Sequence, residues 1–176
     1  DEPHAIEAED LPSDLLDPNP PTSTTLPGSG VTALATVYLV VREGDTTRLT
    51  AVQREVGDPT SPGERIRALL APPSAQEQEE GLISSIPSDT VLLDTSRPDP
   101  GSEELVVNVS GALFDVQGKE LANAFAQIVW TVTEIPGVRQ VRFRVDGQAQ
   151  RAINDEGVEQ PGAVRRSDYD ALAPTR

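Results

Sequence analysis

Cysteine and methionine are both absent from this 176-residue chain. Without cysteine there is no disulfide, no zinc–thiolate site and no thiol nucleophile. Histidine occurs once, as His4, which leaves nothing for a histidine metal cluster or a Ser-His-Asp triad within a folded core. Lysine also occurs once, as Lys119, and the aromatics are one Trp, two Tyr and three Phe. The core must therefore be aliphatic. No apolar run approaches the ~18 residues that a membrane-spanning helix needs. Positive charge is scarce: the formal net charge is −15, which repels phosphate backbones and argues against nucleic-acid binding. With Asp1 first and no methionine, the chain is expected to be a processed or trimmed product, any signal peptide or lipid-bearing cysteine lying upstream.

What is present divides into three parts. Residues 1–30 carry Asp1, Glu2, Glu7, Glu9, Asp10, Asp14 and Asp17 without a Lys or Arg, together with six prolines and a Gly28-Ser29-Gly30 ending. This composition predicts an acidic, Pro-rich disordered linker, with Leu11, Leu15 and Leu16 as its one apolar feature. Residues 31–150 carry the periodic pattern of a folded domain. Residues 151–176 return to charged, Gly/Pro-bearing sequence and are expected to be an extension partly docked near Tyr169 and Leu172.

Within the middle part, Ala33 to Val41 is a continuous β-rich run. Glu43-Gly44-Asp45 marks a turn, and residues 48–56 alternate, which predicts a hairpin. Ser61, Pro62 and Glu64 have the spacing of a helix start, Ile66, Leu69 and Leu70 form its apolar face, and Pro72-Pro73 ends it. Residues 74–81 read as an acidic loop, followed by a packed connection over residues 82–87. Strands are predicted at 90–95 and 105–109 around the turn at Pro98-Asp99-Pro100-Gly101. Leu121, Ala124, Phe125, Ile128 and Val132 fall on one helical stripe, and Pro136-Gly137 closes that helix. Val141, Phe143 and Val145 alternate with Arg142 and Arg144, and Asp146-Gly147 signals a second hairpin. The order is β-β-α-β-β-α-β with a further strand at the end. It predicts an α+β fold: a small mixed β-sheet with two helices on one face.

Catalytic chemistry finds little support. The adjacent acids Glu79-Glu80, Glu103-Glu104 and Asp155-Glu156 lie in polar loops, where they do not face each other across a cleft as glycosidase carboxyls do. Asp94, Asp99 and Glu103 lack the alternation of a calcium loop, and Gly28-Ser29-Gly30 has no lysine or helix to make it a phosphate loop. No catalytic residue, cofactor or metal is assigned. Six residues are candidates for a partner surface. Asn123, Gln127 and Thr131 form a polar row on the second helix, either a groove lining or a solvated face. Trp130 is an interface anchor or a half-buried core residue. Arg142 and Arg144 extend from a basic strand face that could meet an anionic partner, or the acidic stretch 76–80 of a second copy.

Several ordered segments resemble the GerMN domains of sporulation and spore germination. The pattern A-x-A-Q-I-V-x-T-x-T-x-x-P-G-V is matched at Ala124, Ala126, Gln127, Ile128, Val129, Thr131, Thr133, Pro136, Gly137 and Val138. The pattern V-x-F-x-V-D-G is matched at Val141, Phe143, Val145, Asp146 and Gly147. The opening hairpin, the helix at 65–72, the connection at 81–87 and the strand at 105–110 fit as well, so the resemblance covers residues 31–150. Trp130 stands where Tyr is usual, Asn108 where Asp is common, and a polar insertion lies near residue 75. The resemblance implies a fold like that of ring-building-motif domains and a non-catalytic module of the cell envelope. It also implies an extracytoplasmic lipoprotein, anchored only through a lost N-terminal lipid, that binds an envelope protein. Self-assembly into a ring is the alternative, and small-ligand binding a third. The acidic tail would then hold the domain off an anionic membrane surface.

Overall fold

The computed structural model describes residues 32–174. The expected linker over residues 1–30, with Leu11, Leu15 and Leu16, lies outside them. The first elements are β1 (Ala33–Glu43) and β2 (Thr46–Val56). They pair antiparallel without interruption from Ala33 opposite Val56 to Glu43 opposite Thr46. Gly44 sits at φ +62° in the connecting turn, a conformation that glycine adopts without steric cost.

Helix α1 (Pro62–Leu70) begins as its sequence predicts, with the Ser61 hydroxyl accepting from the Glu64 amide at 3.4 Å. The Glu64 carboxylate reaches back to the Asp58 amide at 2.7 Å. Ile66 and Leu69 are fully buried. The acidic stretch read as a loop contains a short helix, α2 (Ala75–Glu79), held by a capping box between Ser74 and Glu77. Arg54 fastens this region: it ion-pairs with Glu77 at 2.8 Å and donates to the carbonyls of Ala68 and Ala71 at the end of α1.

The remaining elements are β3 (Leu82–Ile83), β4 (Leu92–Ser96), β5 (Glu104–Val109), α3 (Lys119–Val132), β6 (Gln140–Val145) and β7 (Gln148–Gln150). The α+β class is the one read from the sequence; the order differs from that reading by α2 and β3, which fall where the sequence predicts a loop and a connection. The strands divide between two sheets, β2-β1-β3 and β4-β5-β6-β7. Every pairing is antiparallel except β5 with β6, the parallel pair that α3 connects. The β6–β7 turn places Asp146 at φ +48° and Gly147 at φ +81°, the two positive angles that a two-residue hairpin loop of this kind requires.

Helix α3 is buried nearly all round, which is the signature of a central helix rather than one lying on a surface. One side packs Phe125 against Phe143 of β6 at 4.7 Å between ring centres. Another bonds to the main chain of β1. The C-terminal extension completes this core. Val164 exchanges both main-chain hydrogen bonds with Val141 at 2.8 Å, occupying the β7 side of β6. A 3-10 segment, Arg166–Leu172, then buries Tyr169 and Leu172.

Candidate interaction surfaces

The polar row of α3 does not face water, and only Asn123 borders a concavity, a small one of 230 Å³ shared with Thr46, Lys119 and Asp155. Asn123, Gln127 and Thr131 are all buried, the last two completely. The reason lies in the edge of β1. Strand β3 pairs Val40 with Ile83 and Val41 with Leu82 and then leaves the ladder. Continued two residues further, that register would set Tyr38 opposite Ser85 and bond them directly. The Gln127 amide stands between them instead: its nitrogen donates to the Tyr38 carbonyl at 3.0 Å, and its oxygen accepts from the Ser85 amide at 2.8 Å. The Tyr38 amide donates to the Thr131 hydroxyl at 3.0 Å. Two helix side chains thereby serve strand groups that would otherwise be buried unpaired. As a partner surface Gln127 and Thr131 are corrected by the structure, because they bond to the main chain of Tyr38 and Ser85; Asn123 is buried beside them.

Trp130 is half-buried within a cluster drawn from three elements. Its ring meets Tyr38 edge-on at 5.4 Å, and the Arg166 guanidinium lies 4.5 Å from its centre. Arg166 also donates to the Trp130 carbonyl, the Thr133 hydroxyl and the Glu134 carboxylate. The Tyr38 hydroxyl donates to Glu134 at 2.9 Å. Burial and this bond to an anion push the Tyr38 phenol up to about 12. Burial alone would raise Glu134, but hydrogen bonds from Arg166 and Tyr38 and the charges of Arg166 and Arg65 outweigh it, and its carboxyl lies below the usual range. The indole face that could have anchored a partner is covered by the chain's own Arg166.

Arg142 and Arg144 point outward from β6, as the alternation predicts. Arg142 is engaged by Glu104 at 2.7 Å and neighbouring Arg139 by Glu103 at 2.8 Å. Within the 76–80 stretch, Glu77 is already paired with Arg54. Each side of the imagined contact between copies therefore has an ion pair inside the chain. Arg144 has no ion pair among the described residues.

Two larger concavities open elsewhere. A polar cleft of 560 Å³ lies at the end of α3, between residues 133–140 and Arg165–Ser167, with Glu103, Glu134, Arg139, Arg165 and Arg166 in its walls. A larger groove of 770 Å³ runs beside β3 and is mainly apolar, with Leu70, Pro72, Pro73, Ile83, Ile86, Pro87 and Val116 on its walls. Sequence reasoning treats Pro72-Pro73 and Ile86-Pro87 as a helix stop and a connection. Their signal as a groove was present only as two proline-flanked apolar stretches, which nothing in the sequence brings together. Among the described residues no cluster of three His, Asp or Glu side chains is arranged to hold a metal.

The sequence model of the Germane family, described as sporulation and spore germination, matches residues 36–151. Among solved structures, the chain is similar to the tandem GerMN domains of the sporulation protein GerM from Bacillus subtilis. That match has 22% identity and a TM-score of 0.56, and it covers 78% of this chain and 46% of that one. The first GerMN domain of the same protein matches with 17% identity and a TM-score of 0.56, covering 77% of this chain and 99% of that one. The chain thus spans about half of the tandem protein and nearly all of its single domain. At these identities the likeness is one of fold. No curated protein matches the chain.

Proposed function

The chain belongs to the Germane family of sporulation and spore germination domains, and from that premise we propose that it is a non-catalytic interaction module of the cell envelope that works by binding another protein. The observation that carries this reading is the contrast between its polar and apolar features. The uncharged polar groups best placed for chemistry, on Gln127 and Thr131, are spent on the main chain of β1 and on Ser85. The groove beside β3 is open and largely apolar, and exposed apolar surface of this kind supports a contact role.

In this reading the domain stands outside the cytoplasmic membrane, held by an N-terminal lipid. The seven acidic residues and six prolines of residues 1–30 serve as a spacer that an anionic membrane surface repels outward. The test is in-cell photo-crosslinking of the full-length protein from probes distributed over the domain, combined with fractionation. The expected result is recovery in the envelope fraction with one dominant protein crosslinked. Recovery in the cytoplasm, or an absence of crosslinks from every probe, overturns the reading.

A further inference from the structure

We propose that the groove beside β3 receives an extended, uncharged apolar segment of a partner protein, which adds to the β2-β1-β3 sheet as a fourth strand. This rests on the reading of the chain as a protein-contact module and names the partner's form. The argument starts from hydrogen-bond direction. Tyr38 turns its N–H and C=O away from β2, toward Thr131 and Gln127. Antiparallel strands alternate the direction of these groups residue by residue, so Val40 turns its own toward Ile83, its partner in the ladder. Leu82 and Ser84, on either side of Ile83, then point theirs away from β1. Both residues line the groove.

Seven consecutive residues, 82–88, form one wall of the groove. An incoming strand therefore meets the outward main-chain groups of Leu82 and Ser84 along one side and Leu70, Pro72, Pro73 and Val116 along the other. Strand addition draws affinity from main-chain bonds and specificity from pockets for alternate side chains. Charge decides between occupants. The groove's charged lining residues are Arg42 and Glu120, and they bond to each other at 3.2 Å at its rim. The lining is neutral in a chain of net charge −15. A second copy would bring a further −15 against it with nothing to offset the repulsion, whereas an uncharged segment meets no such cost. The Gln127 splice contributes as well: by ending the β1–β3 ladder at Ile83, it turns residues 84–88 aside to build the groove wall.

The probe is a display library of short peptides with alternating Val, Ile and Thr, selected against the described domain within the full chain. Selected peptides are expected to shift the amide resonances of Leu82 and Ser84 and to slow their hydrogen exchange. Methylating alternate peptide nitrogens removes the ladder without altering the side chains. It is expected to weaken binding about tenfold or more, since each lost hydrogen bond is worth ~1 kcal/mol. Ser84→Pro, which deletes an outer-edge donor, is expected to do the same, whereas Ser84→Ala, which removes only the hydroxyl that accepts from the Ile86 amide at 3.2 Å, is expected to leave binding unchanged. The proposal is overturned if methylated peptides bind equally well, if selected peptides perturb only the cleft around Arg139 and Arg166, or if sedimentation shows the protein alone dimerising through the groove. Crosslinks in cells from probes outside the groove, with none from Gln78 or Ser88, would leave the interaction module standing and remove the groove from it. The absence of crosslinks anywhere would remove both.

Discussion

Gln127 donates its side-chain amide to the main-chain carbonyl of Tyr38 at 3.0 Å, and the same side chain takes the Ser85 amide at 2.8 Å. A helix residue thus stands inside a strand ladder. Gln127→Ala leaves two buried main-chain groups unpaired, each costing ~1–3 kcal/mol. The expected loss is about 3 kcal/mol, a fall of ~6–12 °C in melting temperature for a domain of this size. Gln127→Glu tests the donor separately. An ionised carboxylate cannot donate to Tyr38, whereas a protonated one can, so this variant should recover stability as pH falls. Denaturation of both variants at neutral and mildly acidic pH is the measurement. An unaltered midpoint for Gln127→Ala would show that the splice holds nothing.

Thr131→Val keeps the shape of the side chain and removes the acceptor for the Tyr38 amide. The expected cost is ~1–3 kcal/mol. Thr131→Ser, which restores the hydroxyl, should recover most of it. A loss in Thr131→Ser with none in Thr131→Val would mean that the methyl contact, not the hydrogen bond, matters. Equilibrium urea unfolding of the pair decides it.

These two residues also show where a sequence stops being informative. A polar row at helical spacing looks the same whether it faces water or the bare edge of a strand. The distinction depends on β3 leaving the ladder after Ile83, which no local pattern records. The stripe through Leu121, Phe125 and Ile128 was legible because burial repeats with the helical period. The Ser61 cap and the Asp146-Gly147 turn were legible because their geometry is local. Helix α2 had its signal too, Ser74 three residues before Glu77, but in a run of Gln and Glu without an apolar face it reads as a loop. The division into two sheets was hidden because it is set by pairing between distant strands. The groove was hidden for the same reason, since its walls meet only through the fold.

Both tyrosines of the chain should resist ionisation. Burial, and then the bond to Glu134, raise Tyr38 to about 12; burial, and then the charges of Asp168 and Asp155, push Tyr169 upward as well. Because both folded values exceed the ordinary 10.0, the stability they contribute is complete below pH 10 and is lost as pH rises through the folded values. An absorbance titration of the phenolates should therefore show no step near pH 10 while near-ultraviolet circular dichroism remains native. A step there in the folded protein would contradict the packing of both rings.

Glu134 governs the acid side. Its carboxyl is held below the ordinary 4.5 because the bonds and charges of Arg166, Tyr38 and Arg65 outweigh burial. A lowered value means that its contribution is present above pH 4.5 and disappears as pH falls through the folded value. Glu134→Gln keeps an acceptor for Tyr38 and loses the charge facing Arg166. The protein should be more stable than this variant at neutral pH, and the gap should close as the solution is acidified. A gap that is independent of pH would assign the difference to packing alone.

The family match ends at residue 151, yet the folded unit does not. Val164 and Tyr169 are fully buried, Leu172 nearly so, and Val164 is bonded in both directions to Val141. Burying each such side chain contributes ~1.5–3 kcal/mol, so removing all three forfeits on the order of 5 kcal/mol. That is comparable to the whole stability of many domains, ~5–15 kcal/mol. A chain ending at residue 151 should accordingly lose cooperative melting, and Arg166 would no longer cover Trp130. Tyr169→Ala should cost ~3–5 kcal/mol through the cavity it leaves. Tyr169→Phe should act in the opposite direction, because the Tyr169 hydroxyl is buried without a hydrogen-bond partner among the described residues. Deleting that hydroxyl should be neutral or should raise stability by about 1 kcal/mol. Calorimetry of the truncation and the two substitutions separates the alternatives. If the truncated chain melts cooperatively at the full-length temperature, the extension is an appendage; if only Tyr169→Phe is tolerated, residues 152–172 belong to the domain's core.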